Sequence, residues 1–181
     1  MTNIRKENLS IERLESLRNE IEVLESKIDA LYKEKDNTLK AGTLESLNWY
    51  KENVRPLSDR QDYCKELVKR IERYNVNVGD GVTICLYSDK HAGTIIKRTA
   101  KTITVQRDKA ILDPNFKPEW IEGGFAGHCV NQGEQRYTYE RDENGAITTY
   151  RWSDKYGRYC GGGDQSITII NGRHEYYDYN F

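Results

Sequence analysis

The sequence predicts an α+β protein: an N-terminal helical hairpin or small bundle, followed by a small antiparallel β-barrel or curled sheet with a long insertion. Three observations predict it. Apolar residues recur every three or four positions before residue 75, and after it they fall in short β-branched runs. The composition also changes between Tyr74 and Val76: all three His, all three Phe and 13 of the 14 Gly lie beyond that point. A helical domain, 1–75, is thereby separated from an antiparallel β domain, 76–181.

In the helical part, Leu14, Leu17, Ile21, Leu24, Ile28 and Leu31 alternate steps of three and four, the seam of a heptad, with Ser10 placed as an N-cap. About three heptads are marginal alone, so the helix needs a partner. Ser58 and Gln61 have the capping-box spacing, and Cys64, Leu67, Val68 and Ile71 continue as a matching stripe. Between them "TLESLNWYKENVRP" predicts a short helix closed by Pro56, with Leu44, Leu47 and Trp49 or Tyr50 to pack. Such a seam serves as an intramolecular scaffold, or joins two chains, or docks a partner protein.

The β part begins with a turn at Gly79-Asp80-Gly81 and a strand over Val82–Tyr87. After a loop from Ser88 to Gly93 come the runs Thr94–Lys97 and Thr102–Gln106, reversed by Thr99-Ala100-Lys101. Asn144-Gly145 predicts a second hairpin. A last strand, Ser166–Ile170, follows Gly161-Gly162-Gly163, and the aromatic tail "HEYYDYNF" closes the chain. Five or six short, bent antiparallel strands imply a barrel of the Src-homology or oligonucleotide-binding type. Residues 108–134 form the insertion between the two hairpins. Pro114, Phe116, Pro118, Trp120, Ile121 and Phe125 are apolar anchors that predict an ordered segment folded back over one barrel opening.

Charge and cysteine usage narrow the class. The 36% hydrophobic and 31% charged residues, with no long apolar run and no apolar leader, predict a cytoplasmic protein with no membrane segment. Net charge is 0 over residues 1–75, with 15 basic and 15 acidic side chains, and −1 over the remainder, with 13 and 14. A near-neutral chain is a poor mimic of duplex DNA. Cys64, Cys85, Cys129 and Cys160 are far apart in sequence with no C-x-x-C pair, which predicts reduced thiols and neither a zinc site nor a disulfide framework. P-loop, G-x-G-x-x-G, H-E-x-x-H and G-x-S-x-G motifs are missing, and no cofactor or metal is expected.

The remaining chemistry is that of a nucleic-acid surface. Residues 90–109 hold Lys90, Lys97, Arg98, Lys101, Arg107 and Lys109 against Asp108 alone, a local charge of +5 with His91 neutral. With Tyr87, Trp152, Tyr156, Arg158 and Tyr159 they combine phosphate contacts with faces for base stacking, the pattern of a single-strand binder. A basic hairpin also serves as a solvated edge that discourages sheet pairing. His91 and His128, if brought together, are the acid and base of a metal-independent ribonuclease, because imidazole titrates near neutral pH. His174 is a third turn-borne imidazole, and Asp89, His91 and Cys129 have no spacing that would make them a nucleophilic set.

The blocks "VGDGVTICLYSDKHAGTIIK", "TITVQRDKA", "GGFAGHCVNQGEQRYTYERDENGAITTYRWSDKYGR" and "GRHEYYDYNF" resemble a family of small phage and prophage proteins over residues 76–181. With its helical N-terminal part the chain also resembles the type II-A anti-CRISPR proteins in size and layout. That resemblance implies a counter-defence protein in the cytoplasm of the bacterial host, whose partners are the type II CRISPR nuclease and its guide RNA. It implies inhibition at the guide RNA or the nuclease–guide complex, by occlusion or by guide cleavage. Two other uses fit the residues: a phage single-stranded nucleic-acid-binding module, and a coiled-coil interaction adaptor. The N-terminal helices allow a monomer or a homodimer.

Overall fold

A stripe of leucines at steps of three and four has one low-energy destination, a second apolar helix, and the chain supplies it. The structure is a computed structural model that describes residues 8–35, 42–123, 127–161 and 166–180. Phe125, Gly162, Gly163 and Phe181, named above, lie outside the described residues. The chain divides into two compact units, Met1–Asn75 and Val76–Phe181, at the compositional boundary.

In the first unit helix α1 spans Arg13–Lys35, α2 spans Leu44–Asn53 and α3 spans Arg55–Tyr74. Leu17 of α1 is buried with Cys64, Leu67 and Ile71 of α3, and Leu14, Ile21 and Val68 pack around them. The pair is antiparallel: Asn75 Nδ2 donates to the Leu9 carbonyl at 2.8 Å, and Arg60 Nε donates to Glu20 at 2.6 Å. This part of the seam is thus covered within one chain. Thr43 caps α2, its hydroxyl accepting from the Ser46 N–H at 3.2 Å. Pro56 opens α3 instead of closing α2. It sits in the first helical turn, where a missing N–H costs nothing, and Val54 ends one helix and begins the next. Ser58 and Gln61 therefore lie inside α3, and Gln61 is buried instead of capping.

The second unit contains β1 (Gly81–Cys85), β2 (Lys90–Arg98), β3 (Thr102–Arg107), β4 (Lys109–Leu112), β5 (Trp120–Ile121), β6 (His128–Cys129) and β7 (Tyr137–Glu140). It ends with β8 (Ile147–Ser153), β9 (Arg158–Gly161) and β10 (Thr168–Asn171). Six of these strands close an antiparallel barrel in the order β1-β10-β9-β8-β3-β2. Its interior is built by Val82, Ile84, Ile95, Ile103, Val105 and Tyr150, with Val76, Tyr159 and Ile169. Strand alternation consequently turns Thr102, Thr104 and Arg151 outward.

Three expectations are corrected here. Strand β2 starts at Lys90, so His91 is in a strand paired to Ile84 and not in a loop. Asn144-Gly145 does not join two paired strands: β7 pairs with β4, whereas β8 pairs with β3 and β9. Gly145 has an ordinary negative φ, and its role is closeness. A Cβ there would lie 2.0 Å from the Arg107 carbonyl oxygen, which only glycine avoids. The insertion, finally, is an arm: β4 and β7 form its two-stranded stem and β5 and β6 a shorter pair beyond it.

That arm packs on the chain's own C-terminal tail. Gln135 Nε2 donates to the Tyr177 carbonyl at 2.8 Å and its Oε1 accepts from the Tyr177 N–H at 3.1 Å. Gln132 Oε1 accepts from the Tyr179 N–H, and Asn180 makes a two-way pair with the Cys129 backbone. Phe116 and Trp120 lie against the Tyr179 ring, with centroids 6.2 and 6.1 Å away. Gln135, the buried one of these amides, satisfies both main-chain groups of Tyr177.

Leu67→Ala removes a fully buried side chain and is expected to lower stability by about 2–5 kcal/mol. Leu44→Ala, at 73% exposure, is expected to change it by less than about 0.5 kcal/mol. Urea titration followed by far-UV circular dichroism checks both.

Candidate nucleic-acid interface

Because β3 pairs with β8, the turn between β2 and β3 lies beside the turn between β8 and β9. Thr102 pairs with Arg151, and the Trp152 N–H donates to the Lys101 carbonyl at 2.9 Å. Residues 97–101 and 151–158 thus share one rim of the barrel. They carry six cations, Lys97, Arg98, Lys101, Arg151, Lys155 and Arg158, against one carboxylate, Asp154. Tyr156 sits among them with Lys155 Nζ 4.9 Å and the Arg158 guanidinium 5.7 Å from its ring centre. Arg158 Nε itself is buried with no hydrogen-bond partner among the described residues. Gly157 takes φ 61° in this turn, a left-handed conformation that side-chain-bearing residues avoid.

Trp152, expected as a contact residue, has another task. It packs against the barrel core, meets Tyr159 edge-on at 5.2 Å, and its Nε1 donates to Asp154 at 2.9 Å. The indole therefore props the turn, and the one acid of the rim is engaged on it.

The other half of the predicted basic set lies where β2 begins and β3 ends, and there it is neutralised. Arg107 donates to Glu175 at 3.3 Å, and its guanidinium lies 3.0 Å from His91 Nδ1. Lys109 pairs with Glu140 at 3.5 Å, and Lys90 Nζ lies 5.9 Å from the Tyr176 ring centre. The stretch 90–109 is consequently not one basic surface. Lys97, Arg98 and Lys101 belong to the rim with Tyr156 and Arg158, while Lys90, Arg107 and Lys109 hold the tail and the stem of the arm.

Two buried carboxylates organise that region. Asp108, its side chain 1% exposed, accepts from Arg173 Nε at 2.7 Å, Arg141 at 3.1 Å and the Thr94 hydroxyl at 2.8 Å. Glu175 accepts from the Ala92 N–H at 2.7 Å and faces His91 Nδ1 at 3.0 Å. Burial pushes the Glu175 carboxyl up, but hydrogen bonds from His91 and Ala92 and the charges of His91 and Arg107 outweigh it, leaving the group below the ordinary glutamate range. Burial raises the Tyr137 phenol as well, to about 12, helped by the nearby tyrosines and carboxylates.

The histidines are not joined. His91 spends Nδ1 on Glu175 and Arg107, whereas His128 is exposed in the arm and pairs through its backbone with Ile121. Among the described residues no hydrogen bond links the two. Those residues also hold no group of three or more His, Cys, Asp or Glu placed to bind a metal ion, and no helix long and apolar enough to cross a membrane. All four cysteines are free thiols.

Sequence reasoning missed Arg151 and Lys155 of the rim, and Asp108 and Glu175 of the buried network. Arg151 was legible as the outward position two residues after Thr149 on β8. Asp108 had no such signal, since one acid in a basic run reads as a simple reduction of charge.

Replacing Asp108 by Ala leaves two half-exposed arginines unpaired and is expected to cost about 2–4 kcal/mol. For Glu175 the folded-state pKa is depressed, so its contribution is complete above the ordinary glutamate range and is lost as pH falls through the lowered value. Glu175→Gln should therefore flatten the acid side of a melting-temperature profile and lower its neutral plateau. Compared with known proteins, the chain matches no family model, no curated protein and no solved structure.

Proposed function

We propose that the protein binds a single strand of nucleic acid at the rim formed by the two turns, and that its target is the guide RNA of a type II nuclease or the nuclease–guide complex. The observation that carries the binding is that the β3–β8 pairing sets Lys97, Arg98, Lys101, Arg151, Lys155 and Arg158 at one rim of the barrel, with Lys155 and Arg158 against the Tyr156 ring and Asp154, the one acid of residues 97–101 and 151–158, bonded to Trp152. Cations displaced from one another would be a solvated surface. Six on two adjacent turns and the strand ends that flank them form a local positive field that a phosphodiester backbone neutralises with release of its counterions.

The counter-defence part of the reading rests on the resemblance, in size and layout, to the type II-A anti-CRISPR proteins. A guide RNA is held by its nuclease in a basic channel, and a competing basic rim acts by occupying exposed guide. Occlusion fits the contacts better than cleavage. His91 is engaged in an ion-paired network, and His128 stands on a separate strand pair with no acid or base bonded to it.

Fluorescence anisotropy with a labelled RNA of about 16 nucleotides tests the binding. The affinity is expected to fall with salt along a log–log slope of about −0.7 per phosphate contacted. Lys101→Glu with Lys155→Glu should weaken it by about tenfold or more. Preincubating guide RNA with the protein should lower DNA cleavage while the guide stays full length on a denaturing gel. A wild-type chain that binds no single strand at about 50 mM salt would rule the reading out.

A further inference from the structure

Next to the rim, the outer face of β2, β3 and β8 presents Lys97, Thr102, Thr104, Thr149 and Arg151, side chains of hydroxyl or cationic character, and reaches the exposed Ile147 at its far end. Lys97 pairs in register with Thr104 and Thr104 with Thr149, and one step along Thr102 pairs with Arg151. No aspartate or glutamate occurs in residues 97–104 or 147–153. The hydroxyls are linked in pairs. Thr104 Oγ1 lies 3.0 Å from Thr149 Oγ1, and Thr99 Oγ1 lies 2.7 Å from Thr102 Oγ1.

Each pair keeps one proton to give away. Thr99 Oγ1 already accepts from the Lys101 N–H at 3.3 Å and the Thr102 N–H at 3.0 Å, so both its lone pairs are filled. Its own proton is shared between Thr102 Oγ1 at 2.7 Å and the Thr102 carbonyl at 3.5 Å, which leaves the Thr102 hydroxyl a proton to offer. In the Thr104–Thr149 pair one hydroxyl donates to the other, and the second again points its proton away. Charged donors at Lys97 and Arg151 flank these hydroxyls on the same face. A ligand that satisfies such a row is anionic, rich in acceptors and free of donors of its own, which describes phosphodiester oxygens.

We infer that this face is a phosphate track: a single strand held at the rim continues across β3 and β8, its backbone oxygens accepting from Thr102, Thr104 or Thr149, Lys97 and Arg151. The inference rests on the rim reading and names the path and the contacting chemistry. Strand spacing suits a repeating ligand, because alternate outward residues such as Thr149 and Arg151 stand about 6.6–6.8 Å apart along a strand. Contact is made to the backbone and not to base edges, so the track is indifferent to sequence.

The test uses the full chain and the same labelled RNA, beside a homopolymer of equal length. Thr104→Val with Thr149→Val keeps β-branched side chains in the strands, and thermal melting confirms that the barrel is intact. This pair is expected to lose roughly tenfold in affinity on both RNAs with the salt slope unchanged. Arg151→Gln should lose affinity and shallow the slope by about 0.7, one phosphate fewer. Folded variants that bind as tightly as wild type, while the rim variants do not, overturn the track and leave the rim reading standing. Loss confined to one of the two RNAs also overturns it, since it means base readout. Wild-type protein that binds neither RNA removes the reading on which the track rests.

Discussion

One carboxylate holds the β unit's three irregular segments in place. Asp108 stands where β3 ends and the arm begins, and it is buried with Thr94 of β2, Arg141 beyond the arm's return strand, and Arg173 at the start of the tail. A buried charge is tolerable only when its lone pairs are filled, and here two guanidiniums and a hydroxyl fill them. The consequence is geometrical: arm, tail and barrel edge meet at one point. Glu175 repeats the device two residues further along the tail, clasping the Ala92 N–H, His91 and Arg107.

This arrangement divides the barrel's predicted basic set into two populations. Those near the carboxylates are paired, Arg107 with Glu175 as Arg141 is with Asp108, although both side chains remain about half exposed. Those on the two turns have a single acid among them, and it is bonded to an indole. A net charge near zero is thus compatible with a strongly positive rim, because neutrality is achieved elsewhere in the molecule. The division also sets His91, expected as an acid–base residue, within the paired network. His91 lies on the paired side of the barrel, between Glu175 and Arg107.

Local pattern made the α+β class legible, since period and composition both change near Tyr74 and each helix and barrel strand has its own apolar repeat. What was not legible depended on contacts distant in sequence. Pro56 and Asn144-Gly145 were read by their usual local meanings, helix stop and hairpin turn. Pro56 instead starts a helix that follows its predecessor at once, and Gly145 is small because the Arg107 carbonyl lies against it. The rim was half legible: Lys97, Arg98, Lys101, Tyr156 and Arg158 were identifiable as a set, but only the β3–β8 pairing puts the two turns side by side. Strand alternation alone does not say that the half-buried Trp152 ring at a strand's end also packs against the barrel core.

The most direct measurement is the footprint of a bound strand on the protein, read as amide chemical-shift changes in isotopically labelled full-length chain titrated with a short single-stranded RNA. The account predicts that the changes concentrate in residues 97–104 and 149–158, leaving the helical unit and the Glu175 clasp unmoved. Changes concentrated in the arm and tail, or in the helices, would contradict it.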